Sequence, residues 1–372
     1  MDDSAVGSTD GMLAGVDAID GGTVMVDAAT DLASGSADAS VKDSTERTDG
    51  KTGDAMEPQR DSTDGRAEAV TRDAGGEAGD PIQCGFTMPN PTSANLPHPA
   101  AYTIEAGTVL DLTTGLMWEQ AVNVPGRPDS LGCTTDIRGA LLCPLRYATA
   151  YCENSYLGGF SDWRLPELLE LYSITDFTVV YPSIDQSVFP DTPWESFWSA
   201  TRLAGEKDDA WYVSFGSGVY HGAFIDEPRR VRCVRTHTRS PARCYPSTSR
   251  FSVSDHQVTD AATGLVWQQD AAQLTIAPLG NAFQVAKSYC ESLGGGSRLP
   301  SVKELLTLLD LTKNPSQSDM LDRTVFGKTS EFYWSSTEPK EEFASVWTID
   351  FGDGSIGLAD YYNMVAQTRC VR

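Results

Sequence analysis

No apolar run in the 372-residue chain approaches the ~18–20 residues needed to cross a bilayer as a helix. None of the eight cysteines sits in a C-x-x-C pair, which leaves zinc ribbons and thioredoxin-like chemistry without support. Histidine is scarce: His98, His221, His237 and His256 are all there is, and none has a second ligand at zinc spacing. There is no Gly-x-Ser-x-Gly elbow and no phosphate-cradling glycine loop. These absences point away from an enzyme, and no cofactor or metal is expected. Positive charge is also short. Lys and Arg number 28 against 52 Asp and Glu, a net charge of −24. A phosphate backbone needs a basic face, so nucleic acid is not an expected partner.

Residues 1–80 lack something further: they contain no Trp, Tyr or Phe. They hold 19 acidic residues against 6 basic ones, among Ala, Gly, Ser and Thr. Such a stretch buries too little apolar surface to offset the entropy of ordering it. The expectation is a disordered acidic spacer. Its Asp residues have no calcium-loop spacing.

From Cys84 onward the chain repeats itself. Val109 to Trp118, with Thr114-Gly115-Leu116-Met117-Trp118, is matched by Val258 to Trp267, with Thr263-Gly264-Leu265-Val266-Trp267. Ala148-Thr149-Ala150-Tyr151-Cys152 matches Ala286-Lys287-Ser288-Tyr289-Cys290. Arg164-Leu165-Pro166 with Glu170-Leu171 matches Arg298-Leu299-Pro300 with Glu304-Leu305. Phe197-Trp198-Ser199 matches Tyr333-Trp334-Ser335, and Trp211 with Phe215-Gly216 matches Trp347 with Phe351-Gly352. Both copies close on Arg-Cys-Val-Arg, at Arg232 and Arg369. The expected domains are 84–238 and 244–372.

Local chemistry outlines each copy. Val109 to Thr113 reads as a strand that turns at Thr114-Gly115 into a second strand. Apolar residues at helical spacing predict a helix over 281–293, with a counterpart over about 146–157. A second helix follows each Arg-Leu-Pro. Pro166 suits a first helical position, and Ser301 to Glu304 reads as a capping box. Phe-Gly-x-Gly is a hairpin turn between strands. Two helices plus short antiparallel strands make an α+β module.

The repeat also organises the cysteines. Cys152 and Cys233 are equivalent to Cys290 and Cys370, so one bridge per copy is the simplest pairing. Each would close about 80 residues, worth roughly 4 kcal/mol in the chain-entropy model. Trp118 to Cys152 spans 34 positions and Trp267 to Cys290 spans 23, so the first copy carries an insertion. It holds Cys133 and Cys143, which are expected to pair with each other. Cys84 and Cys244 remain, one at the start of each copy, either joined as a clamp or free. Disulfides imply an oxidising compartment, whereas Met1-Asp2-Asp3-Ser4 lacks the features of a signal peptide. The expectation is export, with the true start and a lipid anchor upstream of Met1.

The blocks Thr-Gly-Leu-Met-Trp, Asp162-Trp163-Arg164-Leu165-Pro166 with Glu170-Leu171, Phe197-Trp198-Ser199 and Arg232-Cys233-Val234-Arg235 resemble the Lcl C-terminal domain family. The family is named after a bacterial collagen-like adhesin. The resemblance covers about 100–235 and 252–372. It implies surface exposure, a disulfide-bonded C-type-lectin-like fold, and glycan or protein binding through loops. In the namesake the domain binds sulfated polysaccharides. The present chain has no Gly-x-y repeat, and it is acidic.

Candidate functional residues are few. Between Arg229 and Arg250 there are seven Arg and no acid. Arg229, Arg230, Arg235, Arg239 and Arg243 form a candidate site for anionic polysaccharide, since guanidinium forks match sulfate and carboxylate. Solvated Arg on a strand and linker is the plainer reading. Trp163 and Trp194 lack counterparts and fall in loops, so they are candidate exposed aromatics. The six tryptophans that recur belong to a core. Glu170 and Glu304 read as structural partners of Arg164 and Arg298, and Asp350 and Asp353 as turn residues. The function expected is a non-enzymatic, extracytoplasmic adhesive module binding a glycan or surface protein. The alternative is a structural cell-envelope protein without a small ligand.

Overall fold

The computed structural model describes residues 82–372 apart from 93–95, 123–131, 137–140, 217–219, 238–242, 275–279, 328–331, 341–343, 363 and 365. For 82–84, 220–221, 243–244 and 247 only the backbone is described. The acidic segment 1–80 and Arg239 thus lie outside the described residues.

After β1 (Ile82–Gly85) the first copy begins with a meander of β2 (Tyr102–Glu105), β3 (Thr108–Asp111) and β4 (Leu116–Glu119). A small hairpin, β5 (Thr134–Thr135) with β6 (Leu141–Leu142), belongs to the insertion. Helices α1 (Leu145–Glu153) and α2 (Leu168–Ile174) follow. Next come the antiparallel strands β7 (Ser196–Arg202), β8 (Asp209–Ser214) and β9 (Tyr220–Phe224), and β10 (Val234–Thr236) returns to β4. A linker of β11 (Arg243–Pro246) and one-turn α3 (Ser247–Arg250) leads to the second copy. That copy repeats the order with β12 (Phe251–Ser254), β13 (Gln257–Asp260), β14 (Val266–Gln268), α4 (Ala282–Ser292) and α5 (Val302–Leu306). Short α6 (Arg323–Phe326) then precedes β15 (Phe332–Trp334), β16 (Ser345–Asp350) and β17 (Ile356–Asp360). The architecture is mixed helix and sheet, with small antiparallel sheets.

The repeated blocks explain themselves locally. Asp111 Oδ1 accepts from the Thr113 and Thr114 amides, and its carbonyl accepts from Gly115. Asp260 does the same for Ala262 and Gly264. Gly115 and Gly264 have φ of 75° and 79°, a region open to glycine at little cost. Ser301 and Glu304 form the capping box of α5, and Glu167 with Glu170 forms one on α2. Pro166 and Pro300 are not first helical residues; each precedes the cap by one. The two proline carbonyls are taken up outside the helices, by the Ala200 amide of β7 and by the Ser336 amide just after β15. The Asp350 and Asp353 side chains accept from Gly352 and Ser355 in the β16–β17 turn.

Three disulfides are present among the described residues. Cys152–Cys233 and Cys290–Cys370 tie α1 and α4 to the closing Arg-Cys-Val-Arg segments, with equal Cα separations of 5.4 Å. Cys133–Cys143 staples the insertion to itself. Strand pairing sets Cys84 directly opposite Cys244 on β1 and β11, and their side chains lie outside those described.

Each copy has an outer core around its own bridge. In the first, Trp163, Trp198, Leu165 and Ala148 pack there; in the second, Trp334, Phe283, Leu299 and Ala286. The larger core is shared. Trp118, Leu168, Leu171, Phe177 and Trp211 of the first copy form one cluster with Trp267, Val302, Leu305 and Trp347 of the second. The described residues from 82 onward accordingly form one compact unit. Across the seam, Trp347 Nε1 donates to Phe177 O at 2.7 Å, and the Lys340 amide donates to Thr178 O at 3.0 Å. Lys303 Nζ, fully withdrawn from water, donates to Ser173 O and Pro89 O at 2.8 and 2.7 Å. Burial lowers its pKa to about 8, against the opposing pull of Asp176 and Asp111.

Candidate binding loops

The first Arg of each Arg-Cys-Val-Arg block is the foundation of a loop. Arg232 is 0% exposed. Its Nη1 donates to Glu119 O and Gln120 O at 2.6 and 2.7 Å, and its Nη2 donates to Thr192 Oγ1 at 2.7 Å. The guanidinium lies over the Phe189 and Phe197 rings. Burial lowers its pKa to about 10, so it stays charged at neutral pH. Arg369 repeats this arrangement with Gln268 O, Gln269 O and Phe326 O, stacked on Phe326 and Tyr333. In both copies a buried charge therefore fastens the stretch between the second helix and the following hairpin to the frame.

What stands on that foundation differs. In the first copy, Gln186 Nε2 donates to Thr192 O, and Thr192 Oγ1 donates to Phe189 O. This holds 185–195 in place, and the segment presents Trp194. Trp194 is 62% exposed and Tyr181 63%. Their rings meet edge to face, 6.0 Å between centroids at 76°. In the second copy the corresponding stretch forms a groove of about 760 Å³. Phe251 and Val325 are among its apolar lining residues; Asp310, Lys313, Asp319 and Arg323 supply charge. Arg323 pairs with Asp319, and Lys313 with Asp310.

Among the described residues of the basic run, Arg229, Arg230, Arg232, Arg235 and Arg250 do not form an exposed patch, and for these the expectation is corrected. Arg230 is 3% exposed and is held by Glu195 and Asp136 at 2.7 and 2.5 Å. Arg235, at 8%, grips Asp162 with two nitrogens and covers the Phe160 ring. Arg229 pairs with Glu227 and lies 3.8 Å over the Tyr212 ring. Arg250 is buried against Asp260. These guanidiniums are consumed by the fold, their heads paired with carboxylates and stacked on aromatic rings. For Arg243 only the backbone is described, within β11.

Trp163 is also corrected. It is 2% exposed, and its Nε1 donates to Leu157 O and Phe160 O. Glu170 and Glu304 bind Arg164 and Arg298 through both oxygens, at 2.6 and 2.7 Å in each copy. Tyr181 and the second-copy groove escaped the sequence reading. The available signal was an uninterrupted acidic stretch: no Lys or Arg occurs between Arg164 and Arg202. Among the described residues no cluster of three or more His, Cys, Asp or Glu forms a metal site. No described helix is long and apolar enough to cross a membrane.

A disulfide-bonded frame carrying two dissimilar anchored loops is consistent with a modular domain of an oxidising, extracellular compartment. The family model for the Lcl C-terminal domain matches residues 107–235 and 256–372, and the chain belongs to that family in two tandem copies. The family and the disulfides fit an extracellular surface protein. No curated protein matches the chain.

Proposed function

We propose that the chain is a non-enzymatic surface protein that binds a glycan or protein ligand through the loops following α2 and α5. One observation carries this reading. Arg232 and Arg369 hold the frame by equivalent contacts and reach those loops through Thr192 Oγ1 in one copy and Phe326 O in the other, yet the surfaces displayed differ. A frame that is held constant while its loops vary is how binding domains keep specificity separate from stability. Display from the envelope through a lipid anchor, adhesion, and a C-type-lectin-like arrangement of the frame belong to the same reading.

The test is a glycan array and a set of immobilised surface proteins, probed with the full chain. Parallel variants are Trp194→Ala and the double substitution Asp319→Ala with Arg323→Ala. Loss of a bound ligand in one variant but not the other is the expected result. Binding to no probe would favour the structural envelope role, and hydrolysis of an array member would overturn the non-enzymatic reading.

A further inference from the structure

We infer that the Tyr181–Trp194 corner is a docking platform for an uncharged pyranose ring. The inference rests on the loop-binding reading and names the ligand class of its first-copy site.

The corner is preorganised. The Tyr181 amide donates to Gly216 O at 3.1 Å, and the Phe215 amide donates to Glu195 O at 3.0 Å. Both aromatic residues are thus pinned to the turn after β8. Gly216 admits this approach, since a Cβ there would stand 2.8 Å from Trp194 O. Trp194 lies two residues beyond Thr192, which the buried Arg232 holds. Two large apolar rings are therefore kept in water at a fixed angle. Ordering them on binding costs little, and that is what makes an exposed aromatic an efficient contact.

Charge selects the occupant. The segment 165–201 contains Glu167, Glu170, Asp176, Asp185, Asp191 and Glu195 and no basic residue. Asp185 and Asp191 are exposed. Arg230, which reaches Glu195 beside Trp194, is neutralised by Glu195 and Asp136. A sulfated or carboxylated polymer would meet like charge here, as would an anionic membrane. A neutral pyranose suits the site. Its axial C–H face lies on the electron-rich face of an indole, as the positive edge of one aromatic does on the face of another. Its hydroxyls can bond to the surrounding carboxylates.

Trp194 offers a direct readout, because the other seven tryptophans (118, 163, 198, 211, 267, 334 and 347) are buried. Acrylamide quenching of the full chain reports mainly on Trp194. The probes are maltoheptaose, chitohexaose and laminarihexaose as neutral sugars, heparin and dextran sulfate as anionic ones, and phosphatidylcholine vesicles. At least one neutral sugar should shield Trp194. By isothermal titration calorimetry, which does not need the indole, Trp194→Ala and Tyr181→Ala should each weaken that binding by about tenfold or more, and Trp194→Phe should retain most of it. Melting temperatures should stay unchanged, since both rings are exposed. Stronger shielding by heparin, dextran sulfate or vesicles would overturn the assignment. So would neutral-sugar binding that both alanine variants leave intact, though loop binding would then still stand elsewhere on the chain. If no sugar binds at all, the platform assignment falls and only protein ligands remain for the broader reading.

Discussion

Lys303 of the second copy donates to Ser173 O of the first at 2.8 Å, as Arg250 donates to Thr307 O within the second copy at 2.6 Å. Ser173 and Thr307 are equivalent positions at the ends of α2 and α5. The first copy has Ala101 where the second has Arg250. Its helix-end carbonyl is served instead by a cation reaching across the seam. The copies are therefore not interchangeable, and the second completes the first.

Lys303→Met should destabilise the chain by roughly 1–3 kcal/mol, because Pro89 O and Ser173 O lose a donor in a buried seam. The pH response is more specific. The folded-state pKa lies near 8, below the ordinary lysine value of 10.5. Between those values the unfolded chain binds the proton and the folded chain does not, so this group raises stability as pH climbs from 8 to 10.5. Urea denaturation at pH 7.5 and pH 10 should show a rise in the native chain that is reduced in Lys303→Met. An identical pH response in both would contradict the assignment.

Arg250→Ser should act through stability rather than ligand binding. Arg250 and Asp260 are 1% and 0% exposed, so the change strands a buried carboxylate. A loss of about 3–5 kcal/mol is expected by thermal or chemical unfolding. A variant of native stability with altered glycan binding would instead make Arg250 part of a basic ligand site.

Arg232→Lys should loosen 185–195 without unfolding the frame. A single ammonium cannot span Glu119 O, Gln120 O and Thr192 Oγ1 as the fork does. Limited proteolysis should move its first cut into this segment. Cleavage that stays where it is in the native chain would show that the loop has another anchor.

The bridges should rank by loop length. Replacing Cys152 and Cys233, or Cys290 and Cys370, opens loops of 81 and 80 residues, and the two losses should match at about 4 kcal/mol. Cys133–Cys143 closes only 10, and its loss should cost about 2.5 kcal/mol. Non-reducing peptide mapping should also return a Cys84–Cys244 peptide, since strand register places the two residues opposite each other.

Much of the frame is local and was therefore readable from the chain. The Asp111 and Asp260 turns, the capping box at Ser301, and the pairing of Arg164 with Glu170 act over six residues or fewer. Periodicity and side-chain chemistry suffice for such features, and the internal duplication supplied what spacing alone lacks. Burial of charge was not readable in this way. Seven Arg between 229 and 250 look like a basic surface until the partners of the described ones, Asp136, Asp162, Glu195 and Asp260, arrive from distant or separate elements. Trp163 and Trp194 are alike as unrepeated loop tryptophans. Only the tertiary structure sends one to carbonyls inside and leaves the other in water against Tyr181. The sequence by itself determined two copies, their bridges within each frame and the turns that shape them. The tertiary structure decided that the copies share one core and which cations are consumed holding it. It also decided which of the two aromatics stays exposed, because that depends on whether the assembled core closes over the ring, which no local pattern encodes.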